Sequence, residues 1–167
     1  MDRWRNAERK IPLEYAEKIA AHYDVPVTEV LFLHGGGNTS APLISWISAG
    51  RLAQVDHVED MDTARRVQAA DLDPGGDWIA LRVEGDSMDR ISPPDSIIFV
   101  NRSDRTLVPN ACYVIADESG GASYKRFRPN PDRWEPVSVN PDHEPFFIQP
   151  GAGPRIIGRV RKTVLDL

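Results

Sequence analysis

Ser87 stands in the run VEGDSM (Val83 to Met88), directly after a segment in which Ile79, Leu81 and Val83 fall on one face at the two-residue period of a strand. Gly85 lets the backbone leave that strand in a tight turn, so the Ser87 hydroxyl would sit at a strand end. The backbone N–H groups of Asp86 and Ser87 would then be available to an oxyanion. A Gly-Asp-Ser turn taken alone is more often only a turn, and a serine hydroxyl is a weak nucleophile without a base beside it. Histidine is the common base, yet His57 lies in an acidic stretch, His34 in a glycine-rich one and His143 among turn residues, so each reads as a surface histidine. Lys125, in SYKRF (Ser123 to Phe127), is the other candidate: strand alternation puts it on the face of Ser123 and Phe127, opposite Tyr124 and Arg126. At the reference pKa of about 10.4, roughly one lysine in 2,500 is neutral at pH 7. A lysine base must therefore be buried, which can lower its pKa by about 3 to 5 units. Without further context an exposed strand lysine is the simpler reading. Cys112, the single cysteine, lies in the apolar run ACYVIA with no metal-ligand spacing near it and reads as a core thiol. No metal site and no cofactor is expected.

Positioning such residues is the task of short strands. Hydrophobic content of 41% and charged content of 27% are those of a globular chain, and 14 prolines with 12 glycines imply many turns. Strand-like runs begin at Leu43 (LISWIS), Trp78 (WIALRV), Ser96 (SIIFV), Ala111 (ACYVIA), Ala122 (ASYKRF) and Arg155 (RIIGRVRKTVL), separated by turn clusters such as DPGGD, SPPDS, ESGG and RPNPD. Between Asp56 and Asp77 an acidic, weakly periodic segment predicts a surface excursion with at most one short helical turn. Leu13 to Tyr23 carries Leu13, Ala16, Ile19, Ala20 and Tyr23 at helical spacing after Pro12, and Asp24 to Leu33 repeats this on a smaller scale. His34 to Pro42 (HGGGNTSAP) has linker composition. There is no apolar run of about 18 residues and no signal-peptide pattern at MDRWRNAERK, which leads to the expectation of a cytoplasmic protein without a membrane segment.

PLISWISAG (Pro42 to Gly50), VEGDSM and SYKRF occur in the order and at the approximate spacing of the LexA, UmuD and phage-repressor self-cleaving peptidases. VNPDHEPF (Val139 to Phe146) and IIGRV (Ile156 to Val160) are similar as well, and the chain resembles that family from Pro42 to its C-terminus. The resemblance implies a mainly β fold: a compact antiparallel peptidase and dimerisation domain over 43–167, a linker over 34–42 and a small α-helical appendage over 1–33. It also implies Ser87 as nucleophile, Lys125 as general base, the Asp86 and Ser87 amides as oxyanion donors and Ala49-Gly50 as the bond cut in the chain's own backbone. Two small residues leave the hydroxyl a clear approach, although Ser48-Ala49-Gly50 also reads as a turn after a strand. One departure is Pro93-Pro94-Asp95, where relatives commonly show Pro-Gly-Asp; it alters a turn and touches no catalytic group.

WRNAERKIP (Trp4 to Pro12) resembles the end of a recognition helix in Cro-like or phage-repressor helix-turn-helix domains, with no supporting helix ahead of it. Arg3, Arg5, Asn6, Arg9 and Lys10 are the candidate DNA contacts; as a plain cluster they equally read as a solvated helix end. A net charge of -5 argues against a protein that coats nucleic acid with its whole surface. The implied partners are operator DNA, the RecA filament as co-protease in the SOS response, and a second copy of the chain. Two further readings are a regulator that uses the β-domain only to dimerise and a UmuD-like polymerase accessory subunit. The second fits less well, because a helical hairpin stands where such subunits have a short arm.

Overall fold

The apolar runs of the sequence pair into one nine-stranded sheet in the computed structural model, which describes residues 12–23, 27, 30, 38–117, 119–148 and 153–165. The strands are β1 (Thr39–Ile44), β2 (Arg66–Ala69), β3 (Trp78–Arg82), β4 (Ile97–Asn101), β5 (Cys112–Ala116), β6 (Ala122–Arg128), β7 (Arg133–Glu135), β8 (Phe146–Phe147) and β9 (Arg155–Val164). Their order in space is β2-β1-β3-β4-β9-β5-β6-β7-β8. β1 runs parallel to β3, with Leu43 opposite Ala80. From β3 to β8 every neighbouring pair is antiparallel, as the patterning predicts.

Both faces of the sheet are covered. On one face Ile79, Leu81, Ile98, Val100, Val114 and Tyr124 pack with Met88 and with Ala49 and Leu52. On the other, Tyr113, Ile115 and Phe127 surround Trp134, whose ring stands edge-on to Tyr113 at 5.6 Å. Successive residues Tyr113, Val114 and Ile115 thus alternate between two cores, which is why β5 reads as a continuous apolar run.

Three local readings change. The run LISWIS is a strand only to Ile44, because the Ser45 side chain accepts the Ser48 N–H at 3.1 Å and caps a helix, α2 (Trp46–Arg51). β1 starts at Thr39, inside the stretch of linker composition. The acidic excursion holds a short helix, α3 (Asp60–Thr63), and also the strand β2, which Arg66 ties to Ser40 through its Oγ at 2.8 Å and its carbonyl at 2.9 Å. Arg102, only 6% exposed, anchors both ends of that excursion by reaching the Asp56 carbonyl at 2.6 Å and the Asp77 carboxylate at 3.4 Å. Such long-range arginine contacts leave no mark on local periodicity.

The described residues divide between two compact units, those of 1–39 with 70–74 and those of 40–69 with 75–167. In the first, α1 (Leu13–Tyr23) has the predicted bounds, and its buried face is Ala16 and Ala20 packed with Val27 and Val30. Leu13 and Tyr23, read as part of the apolar stripe, are 56% and 70% exposed. Arg3, Arg5, Asn6, Arg9 and Lys10 lie outside the described residues, as does most of Asp24 to Leu33. Among the described residues no helix is long and apolar enough to cross a membrane.

Candidate active site

Past the end of β3 the Val83 N–H bonds the Ser96 carbonyl at 2.8 Å, and the chain then departs through Gly85 at φ +73°. The turn that follows folds on itself: Asp89 N–H donates to the Asp86 carbonyl at 3.2 Å and Ser92 N–H to the Met88 carbonyl at 2.8 Å. Met88 points down into the core at 1% exposure, which leaves Ser87 above it at the surface of a cleft. Lys125 comes from the middle of β6, in register with Tyr113, and its Nζ donates to Ser87 Oγ at 3.0 Å.

The cleft, about 240 Å³, is lined by Ser87 and Lys125 with Trp46, Glu84, Ala122 and Ser123 among their neighbours. Burial pushes the Lys125 ammonium below its ordinary value of 10.5, and no neighbouring charge is among the causes. A neutral amine next to a hydroxyl is the state that can accept its proton. Among the described residues neither the Ser87 nor the Met88 amide donates to a backbone carbonyl, while the Asp86 amide is hydrogen-bonded to its own carboxylate.

Ala49 and Gly50 are not among the residues lining that cleft. Both are buried in α2, where the Ala49 carbonyl accepts the Leu52 N–H at 3.1 Å and the Gly50 carbonyl accepts the Ala53 N–H at 3.2 Å. A Cβ at Gly50 would overlap the carbonyl oxygen of Gly120, so this glycine has a packing reason as well as a chemical one. Ser48, 3% exposed, is hydrogen-bonded to the Asp60 carboxylate and receives the Ser45 hydroxyl at 3.0 Å. Trp46 lines the cleft with its indole N–H on the Arg82 carbonyl at 2.7 Å. Ala49 lies three residues of helix further on, about 4.5 Å of rise.

Cys112 is half-buried and burial pushes its thiol up, consistent with an inert core position. His57 pairs with Asp62 at 2.9 Å on the surface. His143, read from the sequence as a surface histidine, is partly exposed and also meets the Asp86 carboxylate at 2.6 Å, and Asn140 holds the other oxygen of that carboxylate at 3.0 Å. No spacing rule connects Asp86 with residues more than fifty positions away; the only sequence signal was the VNPDHEPF similarity. Among the described residues no cluster of side chains could hold a metal ion.

Residues 42–161, which include α2, the Ser87 turn and β6, match the sequence profile of the Peptidase S24-like family. The chain belongs to the Peptidase S24-like family. Over 125 residues it is 32% identical to the LexA repressor of Geobacter sp. (strain M21), a match covering 73% of this chain and 59% of that repressor. The chain therefore spans less than two thirds of the relative's length. As an S24-like domain it is a serine-peptidase fold, and the matched residues contain both Ser87 and Lys125.

Proposed function

We propose that the chain is a transcriptional repressor inactivated by cutting its own Ala49-Gly50 bond, with Ser87 as nucleophile and Lys125 as base. The observation that carries this reading is the 3.0 Å contact between Lys125 Nζ and Ser87 Oγ in a cleft that, among the described residues, no histidine lines. Neutral Lys125 takes the Ser87 proton as Oγ bonds to the Ala49 carbonyl carbon. The oxyanion is held by the Ser87 amide and by the Asp86 amide once that group turns from its own carboxylate. The Lys125 ammonium then returns the proton to the Gly50 nitrogen as the C–N bond breaks, leaving an ester on Ser87. Water, deprotonated by Lys125, hydrolyses the ester and frees the carboxylate of Ala49.

For attack to occur the bond must leave α2 and enter the cleft in extended form. A helix of six residues is marginal by itself. Its cap, the Ser48 to Asp60 contact and the fit of Gly50 on Gly120 hold it in place. The fraction of molecules with the segment extended then scales the rate. In this reading the RecA filament favours the extended form after DNA damage. Cutting separates the N-terminal residues, with the DNA contacts among Arg3, Arg5, Asn6, Arg9 and Lys10, from the domain that pairs two copies on operator DNA.

Incubation of the purified chain at alkaline pH, followed by mass spectrometry, tests the proposal: fragments 1–49 and 50–167 are expected. The burial of Ala49-Gly50 inside a helix favours one other reading, a regulator whose S24-like domain only pairs and never cuts. An intact chain at every pH would select that second reading.

A further inference from the structure

The turn that carries Ser87 is laced along its length to one other segment, 137–143. The Val137 N–H donates to the Ser87 carbonyl at 2.9 Å and the Arg90 N–H to the Val137 carbonyl at 3.1 Å. The Val139 N–H reaches Asp89 Oδ1 at 3.0 Å. At Asp86, the residue before the serine, Asn140 Nδ2 donates to Oδ2 at 3.0 Å and His143 Nε2 lies 2.6 Å from Oδ1. The Asn140 amide is held from behind: its Oδ1 accepts the Asp142 N–H at 3.0 Å, which commits the nitrogen end to Asp86. These two donors keep the Asp86 carboxyl below the ordinary carboxylate range, Asn140 contributing most and His143 next.

Neither Asn140 nor His143 lines the cleft. What they can do is hold the backbone at Asp86, the residue before the serine. Their hold on the carboxylate fixes the Asp86 Cα on one side of the Ser87 amide, while the Val137 N–H fixes the Ser87 carbonyl on the other, so the residue that carries the hydroxyl is held at both ends. We infer that Asn140 and His143 are positioning residues for the nucleophile, acting through Asp86 to aim the Ser87 amide and hydroxyl at the carbonyl to be cut. The inference rests on the function proposed above.

Two readouts on the full chain separate the inference from that reading. One is the first-order rate of self-cleavage at alkaline pH. The other is the rate at which a fluorophosphonate probe labels Ser87, where Oγ bonds to phosphorus, fluoride leaves and Lys125 takes the proton. Labelling does not require Ala49-Gly50 to enter the cleft. Asn140→Ala and His143→Ala are expected to slow both rates roughly ten- to hundred-fold, the scale of an ångström-sized misplacement. His143→Gln, which keeps a donor for Asp86, recovers most of the loss. The pH midpoint of the rate, which belongs to Lys125, stays in place in all three variants. In an Asp86→Ala background the His143→Ala change adds little, because the carboxylate it acts through is gone. Parent-rate labelling in both alanine variants, a loss that glutamine does not recover, or a displaced midpoint would each overturn the inference. Should an alanine variant fail to fold, Asp86→Ala alone decides by the same readouts, and parent-rate labelling there overturns it. A parent that labels at Ser87 and never cuts removes the self-cleavage reading while the labelling arm still tests the positioning role. A parent that neither labels nor cuts removes both.

Discussion

Lys125 has to be neutral before it can relieve Ser87 of a proton, and burial is what lowers its pKa from 10.5 in this fold. The rate of self-cleavage is therefore expected to climb with pH and level off above the folded-state pKa of this lysine. Ser87→Ala removes the nucleophile and Lys125→Ala the base, and each should leave the chain intact over hours in which the parent is cut, as read on a gel or by mass. The same burial makes a statement about stability. Below the folded pKa the ammonium is charged in both states, so the full penalty of burying it weighs on the native state. Between the folded pKa and the ordinary 10.5 the unfolded chain binds more protons, so stability gains as pH rises through that window. Lys125→Met should accordingly raise the melting temperature at neutral pH, with a gain that shrinks toward the upper end of the window. A Met variant that melts below the parent at pH 7 would contradict this account.

In the proposed reaction helix α2 is the restraint, because it keeps the bond between Ala49 and Gly50 hydrogen-bonded and buried. Its N-cap is Ser45, and loss of a serine cap costs about 1 kcal/mol of helix stability, which converts to roughly a fivefold change in the extended fraction. Ser45→Ala should therefore speed self-cleavage about fivefold, and Ser48→Ala, which releases Asp60, should act in the same direction. Both are read as first-order rates at fixed pH; slower cutting in both would remove the view of α2 as a restraint. Gly50→Val is expected to block cutting and to lower domain stability by about 1 to 3 kcal/mol, since the new side chain meets the backbone of Gly120. A calorimetric scan of that variant measures the packing part, and an unchanged melting temperature would show that α2 is not docked on Gly120 in solution.

For the whole molecule, cutting within each chain predicts a rate independent of protein concentration, whereas cutting between chains would make it rise with concentration. The repressor proposed above, if it reads a two-fold operator, is paired, which predicts a dimer at micromolar concentration in analytical ultracentrifugation; a strict monomer would remove that part of the proposal. The local composition of the sequence determined much of this protein. Short apolar runs, alternating or continuous, bounded by Gly, Pro and Asp clusters account for the strands β3, β4, β5, β6 and β9, and helical spacing after Pro12 accounts for α1. Motif order was enough to single out Ser87 and Lys125 as a candidate pair, and a turn and a strand bring them to 3.0 Å. Tertiary structure decided the rest. Ala49-Gly50 is helical because a serine cap, a contact to Asp60 and a fit against Gly120 outweigh the extended tendency of the run LISWIS. β2, β7 and β8 are too short to show a period, and they exist through pairing with a neighbouring strand: β7 closes a hairpin on β6, β8 pairs with β7, and β2 lies beside β1. The pairing of His143 and Asn140 with Asp86 joins residues 57 and 54 positions apart, and such a contact is made by the packing of loops on a sheet, which no local pattern encodes.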